Sequence, residues 1–140
     1  MTPESDFEFF KNKVALVVED NAANFMLLAR LLNALGIQCE WKSSGFEVVE
    51  FSKTLTRLDI ILLDIHLPYE DGYSALSKIR SAENLKSIPV VAVTADVSTD
   101  SMAKAQKAGF NGFLGKPIDP DRFPDQLRRI LTGDTVWEMY

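Results

Sequence analysis

Three acidic side chains, one hydroxyl and one ammonium group each come at or just after the end of a short apolar run in the sequence. They are Glu19 and Asp20 after residues 14–18, Asp64 after 60–63, Thr94 after 90–93, and Lys116 after 113–114. Carboxylates that lie close together raise one another's pKa, and a divalent cation such as Mg²⁺, bound by oxygen ligands, would relieve that repulsion. With one ammonium and one hydroxyl added, the set suits phosphoryl transfer, which depends mainly on positioning and charge neutralisation. An aspartate can accept a phosphoryl group covalently, and Asp64 is the central candidate because a middle strand would place it between the acidic pair and the pair of Lys116 and Thr94.

The apolar runs alternate with segments whose apolar residues recur at helical spacing. Strands are predicted at 14–18, 37–41, 58–63, 89–93 and 113–114, and helices at 22–35, 46–55, 73–80, 98–108 and 121–131. Five short strands spaced by helices predict a parallel sheet covered on both faces. Right-handed crossovers wind such a sheet into a doubly wound α/β fold. Its functional crevice lies at the carboxyl ends of the strands, so we expect Asp64 to leave the core at the mouth of the sheet.

Composition limits the classes of protein that the chain can represent. Its 140 residues are enough for one domain, and 46% hydrophobic with 25% charged residues is typical of a globular one. The net charge of −5 argues against a nucleic-acid partner. No apolar run is long enough for a membrane span and no signal peptide is visible, so we expect a cytoplasmic protein without a membrane partner. The single histidine, His66, rules out a multi-histidine metal site.

Four motifs at the predicted strand ends carry a family resemblance. They are "VVEDN" at 17–21, "LLDIHLPYEDGY" at 62–73, "PVVAVTA" at 89–95 and "GFLGKPID" at 112–119. Their order and spacing resemble the receiver domain of bacterial two-component response regulators. The resemblance implies a flavodoxin-like, five-stranded parallel sheet with strand order 2-1-3-4-5. It also implies an N-terminal extension at 1–12, a receiver domain at 13–132 and a C-terminal tail at 133–140.

The resemblance assigns roles to the residues at the strand ends. Asp64 would take its phosphoryl group from a phosphohistidine on a sensor histidine kinase or a histidine phosphotransfer protein, and Lys116 would bind a phosphoryl oxygen. The Mg²⁺ cofactor would be held by the group Glu19, Asp20, Asp64 and the backbone carbonyl of His66.

The same resemblance implies a switch and a control on its lifetime. Thr94 would swing its hydroxyl towards the phosphoryl group, and Phe113 would move inward with it. His66 and Asp96, two residues past Asp64 and Thr94, would influence how water reaches the phosphoryl group. The peptide bond between Lys116 and Pro117 is expected to be cis.

The predicted helix 22–35 carries two apolar stripes. Its core stripe is Leu28, Leu31, Leu32 and Leu35, and a second, rotated stripe is Ala22, Phe25, Met26 and Ala29. The second stripe either packs at the margin of the sheet, through Phe25, or forms a docking face for a helical phosphodonor. We favour docking, because exposed apolar patches often mark interaction sites.

Together these features predict a stand-alone receiver that serves as a phosphoacceptor switch rather than as an enzyme with external substrates. It would signal to a downstream protein through the face formed by 98–108, 113–114 and 121–131. Alternatives are a receiver excised from a hybrid histidine kinase and a Mg²⁺-dependent phosphatase, although the latter needs an acid where His66 stands. A flavin module is disfavoured because the loop after the first strand has no glycine. For the aromatic-rich segments 6–10 and 135–140, packing on the domain, self-association and disorder all remain open.

Overall fold

The predicted strands are present and parallel, and a sixth strand extends the sheet. The computed structural model describes residues 3–138, with side chains from residue 5 onward. The strands are β1 Val14–Val18, β2 Gln38–Lys42, β3 Ile60–Asp64, β4 Val90–Thr94, β5 Gly112–Gly115 and β6 Val136–Glu138. Their order is β2-β1-β3-β4-β5-β6. The doubly wound α/β class and the core order 2-1-3-4-5 are therefore confirmed, but the expected count of five strands was one short.

Helices cover both faces of the sheet, as its continuous apolar strands require. The helices are α1 Pro3–Phe10, α2 Ala22–Ala34, α3 Gly45–Ser52, α4 Gly72–Ser81, α5 Thr99–Ala108 and α6 Phe123–Leu131, with a 3₁₀ turn at Glu83–Leu85. Side chains from α3, α4 and α5 pack on one face of the sheet. Side chains from α1, α2 and α6 pack on the other. None of the helices in the described part of the chain is both long and apolar enough to cross a bilayer.

Capping side chains set where helices α2 and α5 begin, and on α2 the cap leaves the carboxylate of the preceding residue available for the site. The Asn21 side chain accepts a hydrogen bond from the backbone N–H of Asn24 at 3.0 Å and caps α2. The cap is therefore Asn21 and not Asp20, whose carboxylate remains available. Ser98 caps α5 in the same way, and Gly109 ends that helix with φ of +104°.

The described parts of both terminal segments pack on the domain. Phe10, at the end of α1, is completely buried in the core. Arg128 of α6 bonds the Asp6 carboxylate at 3.0 Å and lies 4.2 Å from the centroid of the Phe9 ring. At the other end, β6 pairs in parallel with β5. The boundaries 1–12, 13–132 and 133–140 remain a prediction, but the described parts of both flanks are ordered against the sheet.

Candidate functional site

The carboxyl ends of the strands bring the predicted acidic residues together. Ligand oxygens of Glu19, Asp20 and Asp64 lie within 4.8 Å of one another. Glu19 and Asp20 follow β1, and Asp64 is the last residue of β3, which pairs directly with β1. Parallel neighbours place their carboxyl ends at the same edge of the sheet, so a separation of 45 residues in sequence becomes a contact in space.

Lys116 ties two of these carboxylates together. Its Nζ donates to Glu19 Oε2 at 2.8 Å and to Asp64 Oδ2 at 3.0 Å. Burial by itself would lower the pKa of Lys116, but the hydrogen bonds and charges of Glu19 and Asp64 outweigh it, so that pKa is raised above its ordinary value. Lys116 therefore stays a cation at neutral pH. Its peptide bond to Pro117 is cis, as the resemblance implies.

Asp64 is more enclosed than its predicted position at the mouth of the sheet suggests. Its residue is only 6% exposed, and Glu19 is 1% exposed. An enclosed carboxylate needs partners, and here Lys116 supplies one while the backbone N–H of His66 donates to Asp64 Oδ1 at 2.9 Å. The carboxylate at the end of an apolar strand is therefore tolerated because it is paired, and not because it is well hydrated.

A hydrogen-bonded loop holds the acidic pair after β1. Glu19 Oε1 accepts from the backbone N–H groups of Asp20 and Asn21, each at 3.2 Å. Trp41 Nε1 donates to the Glu19 carbonyl oxygen at 2.6 Å. The Trp41 indole also stacks on Phe25, with ring centroids 4.9 Å apart and planes 9° from parallel. Sequence reasoning missed Trp41; the signal was its pairing register, because a residue opposite Val17 lies beside the end of β1.

Thr94 and Asp96 lie together after β4. Thr94 is fully buried, and its Oγ1 accepts a hydrogen bond from the backbone N–H of Asp96 at 3.1 Å. Its carbonyl oxygen accepts from the Lys116 backbone N–H at 2.8 Å, which links the two residues directly. Asp96 and His66 are exposed, and their backbone N–H groups bond Thr94 and Asp64 respectively.

Phe113 is completely buried and shares a sheet face with Thr94. It lies opposite Ala92 of β4 on one side and opposite Trp137 of β6 on the other. Thr94 comes two residues after Ala92, and alternate residues of a strand share a face. The structure therefore places Phe113 in an inward position, with Trp137 packed against the same core.

The second apolar stripe of α2 divides between core and surface. Ala29 is only 8% exposed, and the half-buried Phe25 is engaged with Trp41, so the structure places neither on an open surface as the docking interpretation requires. Met26 is 52% exposed, and its neighbour Leu27, which the sequence did not single out, is 59% exposed. Leu27 lines an apolar groove of about 590 Å³ that extends to Lys116.

Gly72 sets the shape of the loop that leaves Asp64. A Cβ at this position would lie 2.6 Å from Ile65 Cα, too close for any other residue without backbone movement. Its backbone N–H donates to the Ile65 carbonyl oxygen at 2.9 Å and closes the loop. The glycine at this point of the "EDGY" motif therefore has a steric cause: the start of α4 must press against the end of β3.

The donor set fits a hard divalent cation. Three carboxylates converge, and Mg²⁺ prefers oxygen ligands and uses few protein groups. Two of the three are neutralised only in part by a single ammonium group. Glu19, Asp20 and Asp64 could therefore hold a metal ion at this edge of the sheet.

Comparison with known proteins agrees with the geometry. The family described as response regulator receiver domain matches residues 15–128. The response regulator DivK of Brucella ovis is 32% identical over 87% of this chain and 98% of its own length. The histidine-protein kinase BarA of Escherichia coli is 34% identical over 86% of this chain, which spans only 13% of that kinase. The receiver domain of the Pseudomonas aeruginosa sensor kinase PA1611, solved with a magnesium ion in its active-site cleft, superposes with a TM-score of 0.76 at 32% identity, covering 86% of this chain and 98% of that one. The chain thus belongs to the response regulator receiver domain family.

Proposed function

We propose that this chain is a phosphorelay switch in which Asp64 is the phosphoacceptor. The observation that supports it best is the Lys116 ammonium held at 3.0 Å from Asp64 and 2.8 Å from Glu19, at the strand end where a phosphoryl group would arrive. An Asp64 carboxylate oxygen attacks the phosphorus of a phosphohistidine on the donor. The new O–P bond forms as the P–N bond breaks, and its electron pair returns to the imidazole nitrogen, which takes a proton from solvent.

Glu19, Asp20, Asp64 and the carbonyl of His66 are the proposed holders of Mg²⁺. Bound there, the ion supplies positive charge that offsets the charge on the phosphoryl oxygens. Lys116 supplies a second positive charge to a phosphoryl oxygen, since it already bonds the acceptor carboxylate. Thr94 donates its hydroxyl to the phosphoryl group, and Phe113 responds to that movement from its place on the same sheet face.

His66 and Asp96 are proposed to set the lifetime of the aspartyl phosphate. Both are exposed beside the site, and their backbone N–H groups bond Asp64 and Thr94 respectively. Their side chains therefore lie next to the route that an attacking water must take. Replacing each by alanine should change the dephosphorylation rate while leaving the requirement for Asp64 intact.

The phosphodonor is proposed to dock on the exposed part of α2, around Met26 and Leu27, and on the adjoining groove. The groove brings Leu27, Leu31 and Ile118 to the side of Lys116, so a helical domain seated there reaches the acidic site. Leu27→Ala should slow phosphotransfer from a panel of histidine phosphotransfer proteins but not from acetyl phosphate. Phe46→Ala is the matched control, because Phe46 is 63% exposed but lies on α3, on the other face of the sheet. Equal slowing by both variants would contradict this docking site.

The decisive experiment is intact mass after incubation with acetyl phosphate, with Mg²⁺ or with EDTA. One added phosphoryl group is expected with Mg²⁺ and none with EDTA or in Asp64→Asn. Beryllofluoride binding, followed by ¹⁹F NMR, is the second measurement, because an aspartyl phosphate can be hydrolysed before it is detected by mass spectrometry. If neither acetyl phosphate nor beryllofluoride modifies the protein, the proposal is wrong. Turnover of p-nitrophenyl phosphate would instead indicate a phosphatase, contrary to the proposed role without external substrates.

A further inference from the structure

Strand β6 lies against the part of the sheet through which the switch would be transmitted. Its pairing register sets Val136 opposite Gly112 and Trp137 opposite Phe113. A Cβ on Gly112 would lie 3.2 Å from the Val136 carbonyl oxygen, so the glycine allows β6 its close approach. Phe113, fully buried between Ala92 and Trp137, consequently has no open side along the sheet.

Glu138 fastens β6 to the neighbouring helix. Its Oε1 accepts from Arg122 and from Gln126, both at 2.8 Å, and its Oε2 accepts from Arg129 at 2.9 Å. All three donors belong to α6 or to the residue immediately before it. The strand is therefore held by backbone pairing on one side and by charge on the other, while the half-buried Trp137 packs on the core beside Phe113.

We propose that Trp137 is the positioning residue through which the state of Asp64 is transmitted to the protein surface, an inference that rests on the proposed function. Thr94, Ala92, Phe113 and Trp137 share one sheet face. Packed interiors do not deform smoothly, so a shift of Phe113 requires a matching shift of its neighbour. When the Thr94 hydroxyl turns to a phosphoryl group, Phe113 moves towards the space that Thr94 gives up. Trp137 follows Phe113 inward and becomes less exposed.

This mechanism defines the surface that a downstream protein would contact. β6 forms the edge of the sheet beyond β5, and Phe113 is completely buried, so the half-buried Trp137 and the bonds of Glu138 to α6 lie closer to the surface than Phe113 does. A partner that distinguishes the two states would do so by the exposure of the Trp137 indole.

The experiment uses the full chain labelled with 5-fluorotryptophan and observed by ¹⁹F NMR. The chain has two tryptophans, so Trp137→Phe assigns both resonances. Trp41, bonded to Glu19, reports on the acidic site, Trp137 reports on β6, and bound beryllofluoride gives signals of its own. On adding Mg²⁺ and beryllofluoride, the Trp137 resonance should shift and its H₂O–D₂O solvent isotope shift should fall. Asp64→Asn should abolish the beryllofluoride signals and the Trp137 response, and Thr94→Ala, at a beryllofluoride concentration that restores its bound signals, should still lack the Trp137 response.

The outcomes separate this inference from the function on which it rests. If beryllofluoride signals appear and Trp41 responds while Trp137 does not, or becomes more exposed, the role of Trp137 is refuted and the switch chemistry stands. A Trp137 response that survives Thr94→Ala also refutes it, because a merely structural tryptophan would not depend on that hydroxyl. If neither beryllofluoride nor acetyl phosphate modifies the protein, the proposed function fails first and this inference fails with it.

Discussion

Replacing Trp41 by phenylalanine isolates the contribution of one hydrogen bond to the loop that carries Glu19 and Asp20, the proposed metal ligands after β1. The indole N–H donates to the Glu19 carbonyl oxygen at 2.6 Å, and the ring stacks on Phe25. Phenylalanine keeps an aromatic ring against Phe25 but removes the donor. The Glu19 carbonyl belongs to the peptide group that leads into Asp20, so the lost bond loosens the backbone that carries two of the three carboxylates.

The size of the effect follows from the strength of such bonds. A typical intramolecular hydrogen bond contributes about 1 kcal/mol to stability, so the free energy of unfolding should fall by about that amount. Because 1.4 kcal/mol corresponds to about a tenfold change in an equilibrium constant, the affinity for Mg²⁺ should fall by up to about fivefold. The full reduction in Mg²⁺ affinity applies if all of the free energy of this hydrogen bond serves to preorganise the loop.

Backbone amide shifts during a Mg²⁺ titration give the affinity, and urea unfolding gives the stability. Phe25→Ala is the complementary variant, because it keeps the indole donor of Trp41 and removes the ring contact. Loss of the aromatic pair should lower the free energy of unfolding by about 1 kcal/mol, in addition to the effect of the apolar surface that is no longer buried. The reasoning is refuted if Trp41→Phe binds Mg²⁺ with wild-type affinity although its free energy of unfolding is lowered by about 1 kcal/mol. The indole would then stabilise the fold without preorganising the loop.

Two further predictions concern Gly72 and Glu138. Gly72→Ala should lower the free energy of unfolding by about 3 kcal/mol, because of the forced contact with Ile65, and should slow labelling by acetyl phosphate. Gly109→Ala is the control: its Cβ has open space around it, so it should lower the free energy of unfolding by about 1 kcal/mol and leave labelling unchanged. Equal labelling rates in the two variants would contradict the conclusion that Gly72 shapes the loop after Asp64. Burial raises the pKa of Glu138, but the bonds from Gln126 and the arginine charges outweigh it and lower that pKa below 4.5. The stabilisation by the Glu138 carboxylate is therefore complete above pH 4.5 and is lost as the pH falls through the lowered pKa. Urea unfolding should show that Glu138→Gln is less stable than wild type at pH 7 and equally stable in acid. A stability difference that does not depend on pH would refute this prediction.

The convergence at the site could be predicted from sequence because parallel strands place their carboxyl ends at one edge. That rule needs only the location of each apolar run, and it placed Asp64 and Lys116 near each other across 52 residues of chain. It could not give the pairing of Lys116 with Glu19, which are 97 residues apart. That contact depends on where the long lysine side chain reaches from β5 across the two intervening strands, and no local pattern encodes such a reach.

The burial of Ala29 on α2 and the formation of β6 could not be predicted from the sequence, for different physical reasons. Ala29 was assigned to a separate stripe, but Leu28, Ala29 and Leu32 are all buried, because a helix on a sheet buries a broad face. Strand β6 has three residues, too few for the alternation that predicts a strand. It pairs with β5 beside Gly112 and is bonded through Glu138 to Arg122 and Arg129, and no pattern within the three residues of the strand shows these contacts.

The sixth strand constrains how the proposed switch can work in this chain. In a sheet that ended at β5, Phe113 would lie on an edge strand with no neighbouring strand on its outer side. Here β6 fills that side, so the movement of Phe113 is coupled to the packing of Trp137 and to the bonds of Glu138. Coupling between distant sites needs an element with two arrangements that both sites favour differently. Thr94 provides one such element in the proposed switch, because its Oγ1 accepts from the Asp96 N–H in this structure and would leave that position when the side chain turns to donate its O–H to a phosphoryl oxygen. Trp137 provides the other, and since Ala92 and Phe113 lie between them on one face, the state of Asp64 can reach the surface without any change in the backbone of the central strands.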